Sequence, residues 1–103
     1  MNYSIIWSPR SYLTFENRIA YLEKHWTDRE IANFKKRVKQ YLETLKSDPL
    51  IGKPTNHRKH THIGFIIKEV SLIYRVKPIK KEVELLLFFD NRQDPKGIKK
   101  YFK

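Results

Sequence analysis

The sequence contains no cysteine, which excludes disulfides, a thiolate nucleophile and zinc–thiolate coordination, and fits a reducing cytosol. Acid is also scarce. Eleven Asp and Glu face 22 Lys and Arg, leaving a formal net charge of +11 at pH 7, so the expected partner is a polyanion or a strongly acidic protein. No apolar run approaches the ~20 residues of a membrane span. The opening Met1-Asn2-Tyr3-Ser4-Ile5-Ile6-Trp7 is too short and too polar-flanked for a signal peptide. These absences lead us to expect a cytoplasmic protein without a membrane partner. Repeats, linkers and low-complexity stretches are missing too, and 103 residues leave room for one domain over 1–103, with 40% apolar residues to build its core.

The pattern along the chain supplies the elements. Tyr3 to Trp7 reads as a strand, ended by Ser8-Pro9, an N-cap followed by proline at the first helical position. Tyr12, Phe15, Ile19, Leu22 and Trp26 recur at helical spacing and carry helix one to about His25. Thr27-Asp28-Arg29-Glu30 has the form of a capping box and restarts a helix at once. Its stripe is Ile31, Phe34, Val38, Tyr41 or Leu42, and Leu45, and Pro49 ends it; Lys35, Lys36 and Lys39 read as its solvated outer face. The Pro-, Gly- and His-containing stretch from Asp48 to Thr61 reads as a loop. After it the period becomes two, giving strands over Ile63 to Ile67, Val70 to Val76 and Val83 to Phe89, with turns at Lys68-Glu69 and at Lys77 to Lys81. The last strand is apolar on both faces, as a central strand should be. The expected fold class is α+β, in the order β-α-α-β-β-β.

In this order, four clusters carry a resemblance to the RelE/ParE toxin superfamily. They are Trp7-Ser8-Pro9, Leu45-Lys46-Ser47-Asp48-Pro49-Leu50-Ile51-Gly52, Leu72-Ile73-Tyr74-Arg75-Val76, and Phe88-Phe89-Asp90-Asn91-Arg92. The resemblance implies an antiparallel-rich four-stranded sheet with a helical hairpin on one face and a concave basic face opposite. It further implies a cognate acidic antitoxin that wraps the toxin and blocks the basic face. Members similar to RelE enter the ribosome and cut messenger RNA, whereas members similar to ParE poison DNA gyrase.

Cleaving RNA by 2′-OH attack needs cations at the phosphate and is helped by an acid–base pair. His60 and His62 are the acid–base candidates, because alternation in an extended segment puts both imidazoles on one side and imidazole titrates near neutrality. The resemblance adds Arg92, at the end of the last strand. It also brings a departure: the family's strand arginine falls on Ser71, and Arg75, four residues on, is displaced by ~13 Å. Lys53, Arg58, Lys59, Lys68, Arg75, Lys96, Lys99 and Lys100 are candidate nucleic-acid contacts. Tyr101 and Phe102 in the basic tail read as docking on the core. No cofactor is expected, and no metal, since His57, His60 and His62 have no Asp, Glu or Cys among them. Three functions stay open: a ribosome-dependent mRNA endonuclease, a gyrase inhibitor without chemistry of its own, and an inactive homologue that only binds its antitoxin.

Overall fold

A computed structural model of the chain describes residues 2–55 and 59–91. The elements run β1 (Ser4–Trp7), α1 (Pro9–His25), α2 (Asp28–Ser47), β2 (Lys53–Pro54), β3 (Thr61–Ile67), β4 (Val70–Lys77) and β5 (Glu82–Asp90). Both helix starts follow the local chemistry. The Ser8 hydroxyl accepts from the Ser11 N–H at 3.0 Å, with Pro9 at the first helical position. Thr27 and Glu30 form the reciprocal capping box, each side chain accepting from the other's backbone N–H. α2 stops at Ser47, two residues before Pro49.

Helix α1 presents the expected stripe except at its first member: Phe15, Ile19, Leu22 and Trp26 pack on the core, and Ser11 is buried in place of Tyr12. Ser11 is fully buried while Tyr12 is 59% exposed. A small residue at Ser11 lets α1 sit close on β5, and polar groups of α1 serve β5 directly. β5 carries one extra residue, Leu86, because Ile73 pairs Leu87 while Tyr74 pairs Leu85. That bulge leaves backbone groups without ladder partners. The Phe88 N–H donates to Thr14 Oγ1 at 2.9 Å, and the Ser8 hydroxyl donates to the Leu86 carbonyl at 3.3 Å. Tyr12, turned outward, meets Trp7 edge to face.

The sheet has the order β1-β5-β4-β3-β2, with β1 parallel to β5 and every other pair antiparallel. Five strands stand where four were expected. The fifth, β2, lies within the stretch read as a loop and pairs only Lys53 with Ile63 and Pro54 with His62. Two residues leave no period to read, and Pro54, lacking an N–H, is tolerated because the strand is outermost. β5 lies inside the sheet, as its apolar faces required.

One side of the sheet packs on the helices. Ile66, Val70, Leu72, Tyr74, Val76, Val83, Leu85 and Phe88 meet Leu22, Ile31, Phe34, Val38 and Leu45 there. Burial of each large apolar side chain stabilises the fold by about 1.5–3 kcal/mol. Gly64 fits because Tyr41 fills the space a side chain would take. The Arg18 guanidinium joins α1 to the end of β5 through Asp90 Oδ2 at 2.9 Å, with both side chains largely buried.

Candidate functional site: the sheet face opposite the helices

The cross-strand register arranges the face opposite the helices into rows. Phe65, Ser71 and Phe89 form one. Ile63, Ile73 and Leu87 form the next, with Lys53 beside Ile63. Thr61, Arg75, Glu84 and Ile6 form the third, and Lys77, Glu82 and Ser4 the last. Ile63, Ile73, Leu87 and Phe89 are a second apolar cluster, distinct from the helix-side core. Phe65 stands out from this face, 66% exposed.

Of the cations expected on a basic face, Lys53 and Arg75 are described here together with Lys77, while Arg58, Arg92, Lys96, Lys99 and Lys100 lie outside the described residues. Arg75 and Lys77 share two neighbouring rows with Glu84 and Glu82, and Lys77 Nζ approaches Glu84 Oε1 at 3.6 Å. Two positive and two negative side chains leave no net charge in those rows. Cationic side chains are dense instead on α2, which carries Arg29, Lys35, Lys36, Arg37, Lys39 and Lys46.

Arg75 has one unusual property. Its Nε is buried and has no hydrogen-bond partner among the described residues. A buried guanidinium N–H without an acceptor is costly, by about 1–3 kcal/mol or more, and an anionic or carbonyl oxygen arriving at this point would satisfy it.

Ser71, where the family pattern has arginine, is 1% exposed and committed locally. Its hydroxyl donates to Asn91 Oδ1 at 2.7 Å, and Asn91 in turn donates to the Lys68 carbonyl from Nδ2 and to the Glu69 carbonyl from its backbone N–H. This network fastens the end of β5 to the β3–β4 turn.

The two imidazoles are not brought together. His60 lies before β3 in the left-handed region, with φ 61, so the alternation of an extended strand does not apply to it, and it is exposed. His62 is on β3 but faces the helix layer, 8% exposed. Its Nδ1 is 3.1 Å from the Gly52 carbonyl, and its ring stacks on Tyr74 with centroids 5.4 Å apart and an interplanar angle of 13°. The Tyr74 hydroxyl accepts from the Gly52 N–H at 2.8 Å and donates to the Pro49 carbonyl at 3.0 Å. Burial is the main cause that pushes the Tyr74 phenol well above its ordinary range, with Tyr41 nearby adding to it; burial likewise raises Tyr41. His62 and Tyr74 thus clamp the Pro49–Gly52 segment.

Lys53, Lys59 and His60 gather near the Thr61 end of β3, where Arg75 pairs with Thr61 and the Val76 N–H reaches the His60 carbonyl. Lys68 sits at the other end of β3, roughly 20 Å away at ~3.3 Å per residue. Arg58, Arg92, Lys96, Lys99 and Lys100, like His57, Tyr101 and Phe102, lie outside the described residues. Among the described residues no cluster of three His, Asp or Glu is placed to hold a metal ion, and no helix is long and apolar enough to cross a membrane.

Sequence reasoning passed over Phe65 and Arg18. Phe65 follows from alternation with Ile63, a signal that was present. Arg18 pairs with Asp90 across 72 positions, a separation no local pattern reports.

No protein-family model and no curated protein matches the sequence. Solved structures do match. The toxin–antitoxin complex RelBE2 from Mycobacterium tuberculosis superposes with a TM-score of 0.62 at 18% identity, covering 88% of this chain and 100% of that one. A chromosomal ParDE toxin–antitoxin system from P. aeruginosa gives 0.66 at 12% identity over 85% of this chain and 95% of that one. The isolated RelE toxin of E. coli gives 0.57 at 14% identity over 96% and 98%. The chain has the α+β fold of the RelE/ParE toxins.

Proposed function

We propose that this chain is the toxin component of a type II toxin–antitoxin pair, acting in the cytoplasm and held silent by an acidic antitoxin. We further propose that it acts by binding a protein target such as DNA gyrase through the surface around Phe65, without chemistry of its own. The fold shared over most of the chain with RelE and ParE toxins supports the first part, together with the charge of +11 that an acidic partner would neutralise. Fold by itself leaves the target open. The placement of His62 carries the choice: it is buried on the helix side of the sheet, its Nδ1 against the Gly52 carbonyl, so the described residues bring no imidazole pair together for proton transfer. Exposed Phe65, an aromatic anchor of the kind protein interfaces use, supports a protein target.

A second reading, cleavage of messenger RNA on the ribosome, is favoured by the unpartnered Arg75 Nε, which would suit a phosphate oxygen. In that reading Lys53, Lys59 and Arg75 are the phosphate contacts near one another, His60 is the exposed imidazole, and Arg92 the further cation.

The test is induction of the chain alone, with growth, transcript 5′ ends and gyrase supercoiling followed together. The expected result is growth arrest with intact transcripts and lost supercoiling, relieved by Phe65→Asp. Cuts within ribosome-bound codons, abolished by Arg75→Ala or Arg92→Ala, would establish the nuclease instead. Normal growth with abundant folded protein would remove the toxin reading.

A further inference from the structure

A cleft of about 360 Å³ opens where the link between α1 and α2 meets the β3–β4 turn. Trp26 and Ile67, both half-buried and packed on the helix-side core, give it an apolar floor. Arg29, Glu30 and Asn33 from the start of α2 and Glu69 from the β3–β4 turn stand around it. Glu30 Oε1 is committed to the capping box. The side chains of Arg29, Asn33 and Glu69, by contrast, make no hydrogen bond or ion pair with any described residue. The cleft lies at the Ile67 end of β3, opposite the Thr61 end where Lys53, Lys59, His60 and Arg75 gather, and Phe65 does not line it.

We propose that this cleft is a binding site for a guanine base, carried by a free nucleotide or by a single strand of nucleic acid. The inference goes beyond the toxin reading and does not depend on it. Uncommitted polar side chains that converge on an apolar floor are what a small-ligand site requires. The floor, an indole beside an aliphatic side chain, suits a flat heteroaromatic ring. The rim then selects among such rings, because it carries both signs of charge. A bare phosphate would meet the carboxylates of Glu30 and Glu69, and a bare cation would meet Arg29, so neither is favoured. Guanine offers both complements on one ring. Its O6 and N7 accept from a guanidinium as a pair, the part of Arg29, while its N1–H and N2 amino group donate to a carboxylate, the part of the uncommitted Glu69. Adenine lacks that donor pair, and the pyrimidines lack N7.

The probe is guanosine monophosphate, titrated into the full chain at fixed salt and followed by calorimetry and by the NMR signals of the two tryptophan indole N–H groups, which Trp26→Phe assigns. Saturable binding that shifts the Trp26 signal and spares that of Trp7 is expected. Inosine monophosphate, which lacks only the N2 amino group, should bind about tenfold more weakly, and adenosine monophosphate more weakly still. In Glu69→Ala the guanosine and inosine nucleotides should bind alike, a loss of discrimination that mere loss of stability would not produce. Arg29→Ala, at an exposed position, should weaken both by about tenfold. A uridine oligonucleotide carrying one guanosine separates the two sources: tighter binding than the mononucleotide points to a single strand, weaker binding to the free nucleotide, and either supports the site. Absent binding of both probes, equal binding of the adenosine nucleotide, discrimination retained in Glu69→Ala, or an unshifted Trp26 signal would each overturn the proposal.

Discussion

Replacing Tyr74 by phenylalanine removes one oxygen and nothing else, because the ring fills the same fully buried space. That oxygen serves two backbone groups. The Gly52 N–H, 2.8 Å away on a buried residue, would lose its acceptor with no route to water, a loss of about 1–3 kcal/mol. The Pro49 carbonyl, 3.0 Å away on a half-buried residue, can recruit water, so its share is about 0.5–1.5 kcal/mol. Together these predict a loss of roughly 2–4 kcal/mol against a total stability of about 5–15 kcal/mol, and a fall in Tm of roughly 10–25 °C. Urea unfolding followed by circular dichroism should show a lower midpoint at unchanged slope, since no surface is newly exposed in the folded state. Amide exchange at Gly52 should accelerate more than at β4 or β5. A Tyr74→Phe protein within about 0.5 kcal/mol of the parent, with the Gly52 amide still protected, would refute the clamp.

Other expectations follow from the same geometry. His62→Ala should lower stability by about 1–3 kcal/mol through the lost stacking and the unpaired Gly52 carbonyl, and growth arrest should return at low temperature, where the folded fraction recovers; arrest abolished with stability unchanged would instead make His62 a catalytic residue. Gly64→Ala, whose methyl would overlap the Tyr41 phenol, should destabilise by about 1–3 kcal/mol, and Tyr41→Ala in the same chain should return part of that loss in a double-mutant cycle. Tyr41 and Tyr74 are raised above the ordinary value of 10.0, so their contribution is whole below that pH. Above it the unfolded chain releases tyrosine protons that the folded chain keeps, and stability should fall by about 1.4 kcal/mol per pH unit for each phenol until the folded phenols titrate. Tyrosinate absorbance and unfolding free energy measured together between pH 9 and 12 check this, and Tyr74→Phe should flatten the slope. Asp90→Asn should cost about 3–5 kcal/mol by leaving Arg18 largely buried without its carboxylate, read by thermal unfolding.

The order of elements, both helix starts and the central place of β5 were legible because each rests on neighbours in sequence: a cap with its N–H three residues on, a stripe of period near 3.6, a run of period two. The stripe on α1 was misplaced at Tyr12 because its position depends on how closely Ser11 and Thr14 approach β5, a contact between distant segments. β2 escaped notice because two residues carry no period and only the opposing edge of β3 makes them a strand.

For the candidate site, residue types and charge were plain from the sequence, and their company was not. The sequence by itself determined a small, cysteine-free, cationic α+β chain with the clusters of a RelE/ParE toxin. Tertiary structure alone decided that His62 turns to the helix layer and His60 leaves the strand, that Arg75 shares its row with Glu84, and that Lys35 and Lys39 line a groove beside β1. The physical reason is that a strand's alternation fixes which residues share a side, while packing on the helices chooses which side is buried. Where a bulge or a positive φ interrupts the alternation, only the folded chain resolves the outcome.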